Sequence, residues 1–488
     1  MENLKEHMSE MNSHISLLPT GVAGFDQVLG GGLPANALYL IQGLAGSGKT
    51  TLACQIGFNH AKQGKKVLIL TLIAESHGKL LNHLGGYHFF DESLIGNQVL
   101  FFSGYASLAN GGLQDLLAFI AATLAEHKPD IFVIDGFRSV RETSNSGIAL
   151  SEFMHMLNSL VSSLGCTTFL LSPVEGNSPG AENTLVDGII ELGQAERGMR
   201  LIRTLKVYKI RGGKHLLGWH VFEVNESGVV IYPRLEAIAT CANTPPPASS
   251  EMVSFGIPSW DKLIAGGVVK GSSTNLLGNP GIGKTLMGLH FIRQGLQEKQ
   301  NCLILGFYES PPRLVEKAKK VGIDFTKALE EGSLEILWNL PLEILVDELM
   351  NRVLENVDRR NVKRLFVDGL EGIRDVLVYP ERTRSVLIAL INALRARNIT
   401  TVFTQELPYF KESFPTSDSS ASLLFENMML LKYVEIANVN HRQISVLKLR
   451  ENGYDPANHV MTISDAGISV DGTVSALVRK NAPGAAAK

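Results

Sequence analysis

Two stretches of this sequence, GLAGSGKTT (Gly43 to Thr51) and GNPGIGKTL (Gly278 to Leu286), share the pattern GxxxxGK followed by Thr. The glycines let the backbone curl until successive N–H groups face one point, where phosphate oxygens sit at a helix N-terminus. Gly46, Ser47, Gly48 and Thr51 in the first loop are therefore expected to cradle the phosphates of ATP, as are Gly281, Ile282, Gly283 and Leu286 in the second. Lys49 and Lys284 would set a full positive charge beside the β and γ phosphates, a catalytic as well as a binding role. The hydroxyls of Thr50 and Thr285 would ligand Mg2+.

IFVIDGF and LFVDGLE place Asp135 and Asp368 just past a buried apolar strand, where a carboxylate reaches the same Mg2+ through a water. Glu75 in LIAES and Glu309 in FYESP close the strand after the phosphate-loop helix. A carboxylate there orients or deprotonates the attacking nucleophile, whether water or a hydroxyl. Ser172 in LLSP and Gln405 in FTQE end the next strand, the place of a γ-phosphate sensor.

The elements that must hold these groups come in two matching sets. GVAGFDQVLGGGLP from Gly21 aligns with GIPSWDKLIAGGVV from Gly256, which sets Asp261 opposite Asp26. Lys284 follows Lys49 by 235 residues, Glu309 follows Glu75 by 234 and Asp368 follows Asp135 by 233. One domain has been duplicated. The expected boundaries are a first domain over 1–240, a Pro-rich linker (CANTPPPASSEM) over 241–252, a second domain over 253–475 and a flexible tail over 476–488. Within each copy, continuous Val/Ile/Leu/Phe runs without polar alternation mean strands buried on both faces, hence a parallel sheet between helix layers. Both copies are α/β.

Lys plus Arg (45) against Asp plus Glu (48) gives a net charge of −3, without the basic excess of a protein that coats nucleic acid. The four cysteines are scattered outside any metal-ligand spacing and read as small buried apolar groups. MENLKEHMSEMNSHIS lacks a signal-peptide core and no apolar run reaches membrane-span length, so a soluble cytoplasmic protein is expected.

The tandem copies, GFDQVLGGGLP leading into the phosphate loop, and a late Lys-x-Arg motif in each half (KIRGG from Lys209, KLREN from Lys448) resemble the KaiC family over residues 15–470. These are cyanobacterial clock ATPases and autokinases of the wider RecA/RadA superfamily. The resemblance implies two tandem RecA-like P-loop NTPase domains and a two-tiered homohexamer with ATP at its subunit interfaces. It further implies a serine/threonine autokinase in the second tier, and protein partners that read the ring's state. The Lys-x-Arg motif would reach the neighbour's nucleotide. It maps onto Lys209, Arg211 and His215 in the first copy and onto Lys448 and Arg450 in the second, where Tyr454 stands in place of a histidine.

Two departures touch the kinase. The family carries two adjacent glutamates where this chain has Ala74-Glu75 and Tyr308-Glu309. Its Ser-Thr phosphoacceptor pair maps onto Ser422 and Leu423, so Ser422 is the expected acceptor, with Ser417, Ser419 and Ser420 nearby. A RecA/RadA-type DNA-dependent ATPase would share the fold and loops. No appended DNA-binding module or zinc motif accompanies them, and basic runs such as VEKAKKVG read as helix-face charge. A nucleotide-gated scaffold with negligible turnover is the remaining alternative.

Overall fold

The computed structural model describes residues 16–72, 77–144, 146–174, 181–197, 199–241, 249–407 and 424–480. The chain divides into two compact units, Met1–Ala237 and Ile238–Lys488. Helix Leu235–Cys241 spans the boundary in sequence, and Met252–Val253 is the first strand of the second unit. Residues 242–248 of the expected linker lie outside the described residues. The expected tail begins inside a helix, Val474–Lys480, rather than after it.

In the first unit β1 (Leu17–Leu18) and β2 (Leu33–Pro34) make a small antiparallel pair ahead of the main sheet. The main sheet contains β3 (Leu38–Gly43), β4 (Val67–Thr71), β5 (Val99–Ser103), β6 (Ile131–Asp135), β7 (Thr167–Ser172), β8 (Gly188–Arg197), β9 (Arg200–Ile210), β10 (Trp219–Asn225) and β11 (Gly228–Tyr232). Its order is β11-β10-β9-β8-β3-β7-β6-β4-β5. Strands β8, β3, β7, β6, β4 and β5 are parallel to one another; β9, β10 and β11 add an antiparallel meander at one edge.

The second unit repeats this plan. β12 (Met252–Val253) pairs with β13 (Val268–Val269), and the main sheet holds β14 (Ser273–Gly278), β15 (Cys302–Gly306), β16 (Leu334–Trp338), β17 (Arg364–Asp368), β18 (Thr400–Glu406), β19 (Asn427–Ile436), β20 (Val439–Leu449), β21 (His459–Ser464) and β22 (Gly467–Thr473). Its order, β16-β15-β17-β18-β14-β19-β20-β21-β22, has the same topology.

Why the inner strands are rich in apolar residues is visible in β3, from Leu38 to Ile41. Tyr39 and Ile41 enter one core, with Leu52, Ile56 and Phe58 of helix Lys49–Ala61. Leu38 and Leu40 enter the opposite core, with Leu116, Ile120 and Leu124 of helix Tyr105–His127 and Leu157 and Val161 of helix Gly147–Leu164. Successive side chains point to opposite faces, so helices on both faces favour apolar residues at successive positions. Each fully buried Leu or Ile contributes about 1.5–3 kcal/mol.

Helix Tyr105–His127 is long and apolar enough to cross a membrane by length and composition. It is, however, broken at Gly112 (φ 66°, ψ −155°), and its longer straight part, from 113 to 127, is shorter than the ~20 residues a span needs. The repeated aspartate of the GFDQ and PSWD segments is structural. Asp26 accepts from Thr20 N (2.7 Å) and Thr20 Oγ1 (2.8 Å), and Asp261 accepts from Phe255 N (2.7 Å) and Ser254 Oγ (2.7 Å). Each ties the chain that enters the sheet to the turn before it. Cys54, Cys166 and Cys302 are buried free thiols, pushed up by burial, with Cys166 and Cys302 at about 12.

Candidate nucleotide sites

Parallel strands deliver their C-terminal ends to one edge of each sheet, where open α/β sheets bind ligands. β3 and β14 end on the glycines that begin the two phosphate loops. Helices Lys49–Ala61 and Lys284–Gln297 follow directly, and neither first turn has a side-chain cap. Their leading N–H groups therefore face the loop and suit an anion. Gly48 and Gly283 adopt φ 99° and 117°, which L residues with side chains avoid.

The first cleft, ≈ 440 Å³, is lined by Gly46, Gly48, Lys49, Thr50, Thr51 and Asp135 together with His77, Lys79, His83, Tyr87 and Arg203. Lys49 Nζ donates to the carbonyls of Gly43 and Leu44, each at 2.8 Å, and Thr50 Oγ1 donates to Asp135 Oδ2 at 2.8 Å. Burial holds the Lys49 ammonium below the usual lysine range, against the pull of Asp135. Ser47 Oγ is buried without a hydrogen-bond partner, whereas its counterpart Ile282 packs in the apolar core. Thr71 Oγ1 and His77 Nε2 lie 3.0 Å apart at the rim.

The second cleft, ≈ 930 Å³, repeats the arrangement. Gly281, Gly283, Lys284, Thr285, Leu286, Glu309 and Asp368 all line it. Lys284 Nζ donates to the carbonyls of Gly278 (2.8 Å) and Asn279 (2.9 Å), and Thr285 Oγ1 to Asp368 Oδ1 (3.1 Å). Burial pushes the Asp368 carboxyl up, opposed by hydrogen bonds from Thr404 and Thr285. Burial also lowers the Lys284 ammonium, opposed by Glu406, Glu371 and Asp368. Five carboxylates line this cleft, at Glu309, Asp368, Glu371, Asp375 and Glu406. Asp368 falls 233 residues after Asp135, and on that interval Glu371 stands where the first copy has Arg138. The two clefts thus share a Lys–Thr–Asp arrangement and, among the described residues, differ in the charge around it.

Each loop with its Thr–Asp pair fits Mg2+ and a nucleotide triphosphate. A hydroxyl and a carboxylate oxygen already meet beside the lysine, and a Cβ at Gly46 would meet nothing within 4 Å. Glu75 and Ser422 lie outside the described residues, as do Ser417, Ser419, Ser420 and Leu423.

The Lys-x-Arg residues stand elsewhere. In register, Lys209 pairs with Ile189, and Ile189 with Leu40, three residues below Gly43, about 10 Å down the sheet. Lys448 likewise pairs with Met428, and Met428 with Asn275, about 10 Å below Gly278. Lys209 Nζ donates to Asn183 O (3.1 Å), Arg211 Nη2 to Thr184 O (2.9 Å) and Lys448 Nζ to Phe425 O (2.6 Å). Burial lowers the pKa of His215, whose Nε2 is buried without a partner. Arg450 is exposed. None of the five lines its own chain's cleft.

Two arginines that do line the clefts escaped the sequence reading. Arg203 and Arg442 stand 239 residues apart, the same interval as Lys209 and Lys448. Each pairs across the sheet with the residue that touches the loop. Gln194 Nε2 donates to Gly46 O at 3.5 Å, and Tyr433 OH to Gly281 O at 3.2 Å. The Nε of each arginine is buried without a partner. The constant interval was the signal that would have found them. The sensor expectation also shifts by one residue in the second copy. Gln405 accepts from Asn275 Nδ2 (2.8 Å) inside the sheet, and Thr404 is the side chain on the cleft, 2.9 Å from Asp368. Ser172, the first-copy counterpart of Gln405, is buried and accepts from Arg141 at 3.5 Å.

Comparison with known proteins gives a consistent picture. The family model "ATPase: KaiC" matches the chain twice, over residues 18–236 and 253–475. The chain is 26% identical to the circadian clock oscillator protein KaiC of Thermostichus vulcanus, over 96% of this chain and 92% of that protein. The same values hold for the protein of that name from Thermosynechococcus vestitus. The protein of that name from Parathermosynechococcus lividus is 24% identical, over 96% and 88%.

Proposed function

The chain belongs to the KaiC ATPase family, and on that premise we propose that it forms a two-tiered homohexamer that hydrolyses ATP at subunit interfaces and phosphorylates its own Ser422. The observation that carries the ATPase reading is the trio Lys–Thr–Asp at the head of each sheet. Lys49 with the Thr50–Asp135 pair stands in one copy, and Lys284 with the Thr285–Asp368 pair in the other.

The lysine and the helix N-terminus neutralise the triphosphate. Thr50 with Asp135, and Thr285 with Asp368, would hold Mg2+, which neutralises charge on the β and γ oxygens when bound. Glu75 and Glu309 orient a water. Its oxygen attacks the γ-phosphorus, the bond to the bridging oxygen breaks, ADP leaves and the water proton passes to the carboxylate. Arg203 and Arg442 line their own clefts and would add positive charge beside the triphosphate. Lys209, Arg211, His215, Lys448 and Arg450 act on the neighbour's nucleotide. That Lys209 and Lys448 stand about 10 Å down the sheet from their own phosphate loops supports that reading. Hydrolysis is thereby tied to assembly.

In the second tier the Ser422 hydroxyl replaces water as the attacking group. The ring works as a slow cytoplasmic switch whose phosphorylated and unphosphorylated forms are read by protein partners. The test uses full-length protein, Mg2+ and ATP labelled on the γ-phosphate, with free phosphate and protein-bound label counted together. The expected result is release of free phosphate, with bound label that disappears in Ser422→Ala. Free phosphate with no bound label would remove the kinase and leave the ATPase.

A further inference from the structure

Lys317 sits between two anionic positions of the second cleft. Its Nζ lies 2.5 Å from Glu309 Oε2, and it lines the cleft together with Lys284, Thr285 and Asp368. The backbone that carries Lys317 is fixed. Leu314 and Ala318 of helix Pro311–Lys319 are 2% and 0% exposed in the core, so the lysine stem leaves the helix on the cleft side of a buried face. The first copy repeats the placement. Lys317 follows His83 by 234 residues, the same interval that separates Glu309 from Glu75, and His83 lines the first cleft. A basic side chain eight residues after the nucleophile-orienting glutamate is thus built into both sites.

We propose that Lys317 is a latch on Glu309 that answers to the terminal phosphate of the bound nucleotide; the proposal rests on the reading of the second cleft as an ATPase site. One ammonium faces two candidate anions. Paired with Glu309, it neutralises the carboxylate and fixes it away from the nucleophile. A γ-phosphate carries more charge than a carboxylate and offers three oxygens, so it draws the ammonium to itself. The exchange frees Glu309 to orient the attacking group only when a triphosphate is in place. ADP ends one phosphate short and leaves the pair closed. Lys317 is therefore a positioning residue for Glu309 and a determinant of ATP over ADP. No covalent bond is made or broken at it.

The test uses full-length protein carrying Lys49→Ala, so that nucleotide binding reports the second cleft alone. Calorimetry with a non-hydrolysable ATP analogue and with ADP, plus turnover of ATP, is compared for Lys317→Met, Lys317→Arg and Glu309→Gln. Lys317→Met is expected to weaken the triphosphate about tenfold while leaving ADP affinity in place. Lys317→Arg should restore the ATP-to-ADP ratio, since the cation is kept. Glu309→Gln should keep triphosphate affinity or raise it, by releasing the ammonium, while turnover is lost. A Lys317→Met variant that weakens both nucleotides equally, or neither, overturns the latch. A Lys49→Ala parent that binds no nucleotide overturns the ATPase site, and the latch with it.

Discussion

The hydroxyl of Thr285 donates to Asp368 Oδ1 at 3.1 Å, and Thr404 donates to the same oxygen at 2.9 Å. Two hydroxyls from two elements thus fix one carboxylate that ends a buried strand. Asp368→Asn keeps the shape and an acceptor oxygen but removes the charge. The expected outcome, in a Lys49→Ala background, is a folded protein that still binds nucleotide without Mg2+. Its Mg2+-dependent turnover should fall about a hundredfold or more. Phosphate release against Mg2+ concentration checks this.

Arg203 and Arg442 line the clefts of their own chain beside the phosphate-loop lysines. Arg442 also lies with its guanidinium 5.9 Å from the centre of the Tyr433 ring, and Tyr433 touches the loop. Arg442→Ala should weaken ATP at the second cleft by about tenfold or more, as expected for loss of a charged hydrogen bond to phosphate. Arg203→Ala should do the same at the first. Single-site titrations in the Lys284→Ala and Lys49→Ala backgrounds would separate the two.

His290 gives the second unit an acid-sensitive spot. It is 2% exposed, burial chiefly and Arg293 next bring it down to about 4, and its Nε2 accepts from the backbone N–H of Ile468 at 3.2 Å. A protonated ring could not accept that bond. Because the folded value lies below the ordinary 6.5, the unfolded chain binds more protons between the two values. The neutral ring's contribution is therefore complete above about pH 6.5 and is lost as pH falls toward about 4, up to about 3 kcal/mol. Denaturant melts of the wild type against His290→Gln across that window should converge as pH falls.

Arg364 is fully buried yet charged. Its guanidinium donates to Glu298 Oε2 (2.6 Å), Gln300 Oε1 (2.8 Å), Ser254 O (2.7 Å) and Phe291 O (3.1 Å). Arg364→Ala leaves those acceptors and a cavity behind, and should cost about 3–5 kcal/mol. A calorimetric melt that shifts the second unit and leaves the first unchanged is the expected signature.

Much of this was legible in the residues, for reasons that differ by element. β3 could be read because both its faces are covered, which gives an apolar run from Leu38 to Ile41, whereas β14, with buried Ser273, Thr274 and Asn275, could be read only from its place before the phosphate loop. The phosphate loops could be read because Gly48 and Gly283 need positive φ. The antiparallel edge was less legible. β9 mixes polar and apolar residues, and Arg203 is one of several basic side chains along it with nothing in the strand's own residues to single it out. Lys317 was hidden in VEKAKKVG, which reads as a helix face turned to water. Only the burial of Leu314 and Ala318 turns it into the cleft. Gln405 and Thr404 could not be ordered without the sheet's register, since adjacent strand residues point to opposite faces.

The central claim, that each site is completed by a neighbouring subunit, is tested most directly by mixing two disabled chains. One carries Lys49→Ala with Lys284→Ala and lacks the phosphate grip. The other carries Arg211→Ala with Arg450→Ala and lacks the cations offered to the neighbour. Co-expressed and purified together, they would join an intact lysine to an intact arginine at some sites of the proposed ring. The account predicts that each chain alone is inactive and that the mixture hydrolyses ATP. A mixture as silent as its parts, or an Arg211→Ala/Arg450→Ala chain with full activity on its own, would contradict it.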